Sequence, residues 1–304
     1  MYKLLKLLFV LILPVVLILA GCGGMSKNEE AKPSEGKLTL TEAEFPRIDG
    51  STATIPLGEA AAAVLMGISR SDAARFADFT GTDSSFGALL EGRADLLIVY
   101  EPAAESRRNM PAINSLNMQP IGSDALVFIV NAANPVNNLS VEQVRDIYAG
   151  IITNWSEVGG PNEPIAAFQR NVTAGSHTLL MSLLMYDTPL MVPPQHFVYA
   201  GMGGMVGAVA QFDGGEFGIG YNVFYYVTEM VKDPNVKVLS INGVAPTQQT
   251  IGSGEYPLTN YFYAVIRPNE PHDSPAHQVF NWLQSPEGQA LIHLEGYASI
   301  NPPF

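Results

Sequence analysis

The stretch Ile165-Ala166-Ala167-Phe168-Gln169-Arg170-Asn171-Val172-Thr173-Ala174-Gly175-Ser176-His177-Thr178, continued by the apolar run Leu179 to Met185, decides how the chain is read. Its opening is strand-like and its close reads as an apolar helix; between them stand a guanidinium, a glycine and three hydroxyls. Strand, donor-rich loop and helix form the unit from which α/β layers are built. The same alternation of short apolar strands and amphipathic helices runs along the chain after Leu38. It predicts α/β layers with mainly parallel sheets, without an internal repeat.

The chain has 304 residues and a mass of 32.7 kDa, enough for one large or two ordinary domains. Charged residues make up only 15% and hydrophobic ones 47%, which excludes a disordered polyelectrolyte. The formal charge of −13 repels nucleic acid and acidic membrane surfaces, so no nucleic-acid partner is expected and any anion must be held by local geometry. The single cysteine, Cys22, excludes an internal disulfide, a cysteine-based zinc site and an iron–sulfur cluster.

Lys3 and Lys6 precede the apolar run Leu7 to Leu19, which is sized like the core of a signal peptide and short for a membrane span. The run ends in Leu19-Ala20-Gly21-Cys22, and residues 1–22 read as a targeting segment. Residues 23–37 are polar and aperiodic, as a flexible tether would be.

Three helix starts could face a ligand. Asp49-Gly50-Ser51-Thr52 leads through Pro56 into an alanine-rich helix ending near Gly67. Free N–H groups and the positive dipole end suit such a start to an anion, although ordinary Ser/Thr capping explains it equally when it is taken alone. Thr80-Gly81-Thr82-Asp83-Ser84-Ser85 precedes a short helix through Leu90, with Asp83 or Ser84 as its cap; the strand Leu96 to Tyr100 then ends at Glu101, at the carboxyl end where open α/β sheets bind ligands. Gln169 to Thr178 is the third and the richest. The planar Arg170 fork suits an oxyanion through paired, charge-assisted hydrogen bonds, its alternative being a salt bridge in a surface loop.

The other landmarks are architectural. Ser140 to Gln143 is a capping box for a helix ending at Gly150, and Ser285-Pro286-Glu287 opens a helix that stops at Gly296. Gly201 to Gly207 lacks the third glycine of a dinucleotide loop, Val206 standing there, and reads as a lead into a helix. His177 follows Ser176 directly, so the two side chains point apart on a helix, and no Gly-x-Ser-x-Gly elbow surrounds the serine. His196, His272, His277 and His293 lack metal-ligand spacing. Neither a catalytic group nor a metal or cofactor is expected. Tyr100, Tyr221 and Tyr225 suit the core or the rim of a cleft, with the alternative that they line a pocket for an organic anion.

Several stretches in order resemble the substrate-binding lipoproteins of phosphate-type ABC importers, within the type II periplasmic binding protein superfamily. They are Asp124 to Asn131 with Asn134-Pro135, Leu139 to Gly150, Ile152 to Trp155 with Glu157 to Gly160, Tyr256 to Thr259, Ser285 to Gln289, and Gly296-Tyr297. The resemblance implies a two-lobe α/β fold with a hinge and a central ligand cleft. One lobe would comprise residues 38–122 and 268–304, and the other residues 123–267. It also implies cleavage before Cys22, lipid on that cysteine, an extracytoplasmic place on the bacterial cell membrane, a permease as partner, and a monomer.

Carried over by position, Ser51, Thr52, Thr82 and Ser84 would be first-lobe donors, and Arg170, Gly175 and Ser176 second-lobe ones. Ala174 stands where the family's turn has its first serine, so one hydroxyl is missing there. Glu101 falls near the family's acidic acceptor, commonly an aspartate. A protonated oxyanion, hydrogen phosphate above all, could donate to Glu101, whereas sulfate would face it with an unpaired acceptor, at about 1–3 kcal/mol. The alternative is a sensing or surface-interaction lipoprotein of the same fold that binds another anion or none.

Overall fold

The computed structural model describes residues 37–211 and 217–300; Cys22, the targeting segment and most of the tether expected from sequence lie outside the described residues. The organising element is the strand Asn117–Asn131, fifteen residues long and buried from Ile121 onward. Its first part pairs antiparallel with Thr259–Ile266, from Ala125 opposite Thr259 to Asn117 opposite Ile266, with a bulge between Phe262 and Tyr263. Its second part pairs antiparallel with Phe217–Val223, from Leu126 opposite Val223 to Val130 opposite Ile219. One continuous strand therefore serves two groups of strands.

The first group continues through Leu96–Tyr100, antiparallel to Thr259–Ile266, and ends at Ile48–Gly50, parallel to Leu96–Tyr100. The second continues to Ile165–Ala167, parallel to Phe217–Val223. Ala298–Ser299 and Val236–Val238 also pair with the long strand, one on each part. The sheet is therefore mixed, which corrects the expectation of mainly parallel pairing. Alternation of strands and helices reports crossovers between neighbours in sequence; here the central pairs join segments about ninety residues apart or more, whose direction no local pattern carries. Thr259–Ile266 lies in the first group, ahead of the boundary at residue 268 expected from sequence.

Local signals set the helix ends. Pro56 occupies the first turn of Ile55–Met66, which stops at Gly67 in the left-handed conformation, φ 66°. Ser140 Oγ accepts from Gln143 N at 3.1 Å while Gln143 Oε1 accepts from Ser140 N at 2.8 Å, closing the capping box of Val141–Tyr148. Ser285 caps Pro286–Leu294. Two helices differ from the expectation. Thr82–Leu90 is capped by Gly81 at φ 98°, a conformation that glycine reaches without a Cβ clash, so Asp83 and Ser84 stand inside the first turn. The third helix begins earlier, as Gly175–Leu179, and widens into a π-helical turn over Leu180–Leu184.

The larger core runs along the long strand, with Phe128, Tyr148, Tyr221 and Trp155 fully enclosed. Trp155 Nε1 donates to Phe217 O at 3.0 Å, so its one polar atom is satisfied. A smaller cluster of Phe86, Leu89, Leu97, Val99 and Ile113 fills the opposite face of the first group.

Candidate functional site

A cleft of about 340 Å³ lies where the two groups of strands meet, lined from one side by Ser51, Thr52, Thr82 and Ser84 and from the other by Arg170, Gly175 and Ser176. Seven of the eight residues singled out as ligand-facing thus share one cavity.

The first side is assembled by hydrogen bonds between distant segments. Asp49 Oδ1 accepts from Gly50 N and Thr80 N, each at 2.7 Å, and its Oδ2 from Thr80 Oγ1 at 2.7 Å, which fastens the Thr80 loop to the end of the first strand. Gly81 N donates to Gly50 O at 3.0 Å. Ser51 Oγ shares a 2.8 Å bond with Thr82 Oγ1 and accepts from Tyr100 N at 3.1 Å. The two helix starts are consequently held side by side, with the Asp49 carboxylate as the tie between them.

On the second side, Arg170 follows the strand Ile165–Ala167 and is only 7% exposed. Its Nε donates to Tyr199 O at 3.0 Å, Nη2 to Ala200 O at 2.9 Å and Nη1 to Ser176 Oγ at 3.3 Å. No ion pair joins it to a carboxylate among the described residues, so the surface salt bridge weighed from sequence does not account for it. Burial pulls its pKa below the ordinary value, with Tyr221 and Tyr226 opposing, and a guanidinium stays cationic through such a shift. A buried cation held by neutral carbonyls is a standing demand for an anion. Gly175 belongs to the same turn: a Cβ there would sit 2.7 Å from Thr82 Oγ1, so the two sides already touch and glycine permits it.

Glu101 is not in the cleft, which corrects its assignment as the acceptor. Successive strand residues point to opposite faces. Tyr100 turns toward the cleft, so Glu101 turns away and pairs with Arg107 Nη2 at 2.7 Å. It lines a different cavity of about 670 Å³ with Arg107, Arg108, His177 and Tyr186.

The residues missed from sequence explain how the floor is set. Tyr100 Oη donates to Asp124 Oδ2 at 2.6 Å, and Asp124 Oδ1 accepts from Ala125 N at 2.8 Å and Tyr225 N at 3.2 Å. Asp124 stands on the long strand where pairing passes from one group to the other, so one carboxylate ties elements of both. Burial pushes its carboxyl up to about 6 against the pull of these donors. A charged residue inside the apolar run Ile121 to Val130 was the available signal. Asp83 and Asn171 also line the cleft, where Asp83 Oδ1 accepts from Ala103 N at 3.2 Å. Asn171 Oδ1 is buried without a hydrogen-bond partner.

Ser176 and His177 do not form a nucleophile and base. Ser176 Oγ faces Arg170, while His177 Nδ1 lies 3.2 Å from Tyr221 Oη, and burial, then the Arg170 charge, lowers its pKa. Among the described residues no group of three or more His, Cys, Asp or Glu could hold a metal ion. Tyr221 and Tyr225 are core residues.

The PBP superfamily domain model matches residues 47–287. A phosphate-binding protein PstS of Bacillus subtilis (strain 168) is 26% identical over 301 residues, covering 96% of this chain and 93% of that one. A phosphate-binding protein PstS of Borreliella burgdorferi is 26% identical over 181 residues, 58% of this chain and 63%, under two thirds, of the relative. Among solved structures, a phosphate-type ABC transporter substrate-binding protein from Clostridium perfringens with bound phosphate shares 25% identity and a TM-score of 0.65, over 84% of this chain and 98% of the other. An ABC-type phosphate transport receptor from Vibrio cholerae shares 26% and 0.62, over 84% and 99%. The match spans both sides of the cleft and the strand between them: the chain belongs to the PBP superfamily and has the α/β fold of type II periplasmic binding proteins.

Proposed function

We propose that this is an extracytoplasmic solute-binding lipoprotein that captures a small tetrahedral oxyanion, hydrogen phosphate first, and delivers it to the permease of an ABC importer. The observation that carries the reading is Arg170, a buried cation with no ion-pair partner among the described residues, opening on a cavity ringed by hydroxyls and helix starts. The relatives named as phosphate-binding proteins and the neighbour with bound phosphate support it.

Ser51, Thr52, Thr82 and Ser84 donate from one lobe; Arg170, Gly175 and Ser176 donate from the other. Asp83 takes the part first assigned to Glu101. It is the carboxylate among the described lining residues, and it accepts a hydrogen bond from the P–O–H group that hydrogen phosphate carries and sulfate lacks. The first lobe is residues 38–125 with 259–300 and the second 126–258, hinged where the chain crosses between them. An anion touching both favours the closed state through its extra contacts there. Lipid on Cys22 anchors a monomer to the bacterial cell membrane, and Cys22→Ser should release it to the soluble fraction.

Calorimetric titration of the purified protein with phosphate and sulfate tests the reading. Phosphate should bind at least about tenfold more tightly, the equivalent of an unpaired buried acceptor. Equal binding of sulfate would remove Asp83 from its role. An absence of any anion-induced rise in melting temperature would favour a sensing or surface-interaction lipoprotein instead.

A further inference from the structure

Resting on the oxyanion reading above, we infer that the cleft takes a tetrahedral oxyanion bearing a small organic substituent, a phosphonate or a phosphate monoester, whose substituent lies on an apolar wall of Ala200, Met202 and Val223. All three line the same cavity as Arg170 and Ser176.

Size is the first argument. A water occupies about 30 Å³ of the liquid, so a bare oxyanion of five heavy atoms needs roughly 60–90 Å³. The cleft holds about 340 Å³. That space exists with the two sides already in contact, since Gly175 has no room for a Cβ beside Thr82.

The second argument is what the surplus space is lined with. Met202 opens the helix Met202–Ala210, which packs on the strand Phe217–Val223 through Met205 against Gly220, and Val223 ends that strand. Ala200 gives its carbonyl to Arg170, and its side chain adds a methyl to the lining. Water needs two to four polar partners to settle, which these side chains do not supply. An apolar group there gains the dispersion contacts that an empty wall forfeits.

The donor side agrees. A phosphonate carbon at one vertex leaves three oxygens in place of four, a monoester leaves three unesterified ones, and the turn that carries Arg170 and Ser176 has Ala174, without a hydroxyl, at its cap.

The test is competition calorimetry on the intact protein with phosphate, methylphosphonate, propylphosphonate and phenylphosphonate, repeated on Ala200→Trp and Met202→Ala. At least one phosphonate should bind within about tenfold of phosphate. Ala200→Trp, which fills the wall from an exposed position, should weaken the bound phosphonates about tenfold more than phosphate. Met202→Ala, which enlarges the wall, should shift preference toward the phenyl compound. If phosphate binds and no phosphonate competes at a hundredfold excess, roughly 3 kcal/mol weaker, the inference is overturned while the oxyanion reading stands. Variants that change all ligands in equal proportion also overturn it. If neither phosphate nor a phosphonate binds, the oxyanion reading fails first.

Discussion

The two sides of the cleft are made of different chemistry. The Ser51 side is a lattice in which hydroxyls, peptide N–H groups and the Asp49 carboxylate fix one another at 2.7–3.1 Å. The Arg170 side is one buried cation held by two carbonyls and a hydroxyl, beside a turn stripped to alanine and glycine. A prebuilt lattice whose groups already satisfy one another supplies shape and costs little to leave empty, whereas an uncompensated cation supplies the pull. Affinity should therefore reside in the Arg170 side and geometry in the Ser51 side.

The sharpest way to break this contrast is Arg170→Ala. It removes a fork whose charge-assisted bonds contribute roughly 1.5–3 kcal/mol each. Phosphate affinity should fall at least about a hundredfold by calorimetry. A loss under tenfold would put the pull elsewhere.

Next comes Asp124, the carboxylate bonded to Tyr100 on one side of the hinge and to Tyr225 N on the other. Its pKa is raised from 3.8 to about 6, so the fold favours its neutral form. The stability it contributes is complete below pH about 4 and is lost as pH rises through about 6, on the order of 3 kcal/mol in all. Melting temperature measured from pH 4 to 7 should show this decline in the native protein, and Asp124→Asn should flatten it. An unchanged slope would mean that another group titrates.

Gly175→Val tests whether the sides must touch. Its Cβ would press on Thr82 Oγ1, and overpacking of this kind costs about 1–3 kcal/mol, so phosphate should bind about tenfold more weakly. Small-angle scattering should show less compaction on adding ligand than in the native protein; equal compaction would show that the turn has slack. The smallest effect belongs to Glu101→Gln, which acts in the other cavity: phosphate affinity should change by less than about twofold. A larger loss would return Glu101 to the cleft.

Much of this was legible in local sequence because local physics decides it. Ser140 and Gln143 close their box within one turn, and Pro56 and Gly67 mark the two ends of one helix. The gathering of Ser51, Thr82, Arg170 and Ser176 in one cavity was implied by the family resemblance, since each helix start taken alone reads equally as ordinary capping. The misreadings came from direction. Whether a residue at a strand end faces inward depends on strand register, and Glu101 is off by one position from Tyr100. Strand polarity depended on partners such as Phe262 opposite Tyr100, which no window of neighbouring residues contains. Asp124 belongs to a stretch that carries the family resemblance, but its hydrogen bonds come from residues 100, 125 and 225, too scattered for spacing to reveal.

The long strand has one more consequence. The chain leaves its first group of strands after Ala125 and returns at Thr259, residues that sit directly opposite each other, and Leu126 N donates to Leu258 O at 2.9 Å beside them. Both passages use a single doorway, so the span from 126 to 258 enters and leaves the first group through one pair of facing residues, while Gln248 and Tyr225 within it still hold Tyr297. Splicing Ala125 to Thr259 with a tight hairpin would remove that span through the one doorway, and the cooperativity of melting in the shortened chain would measure how much of the remaining order depends on those contacts.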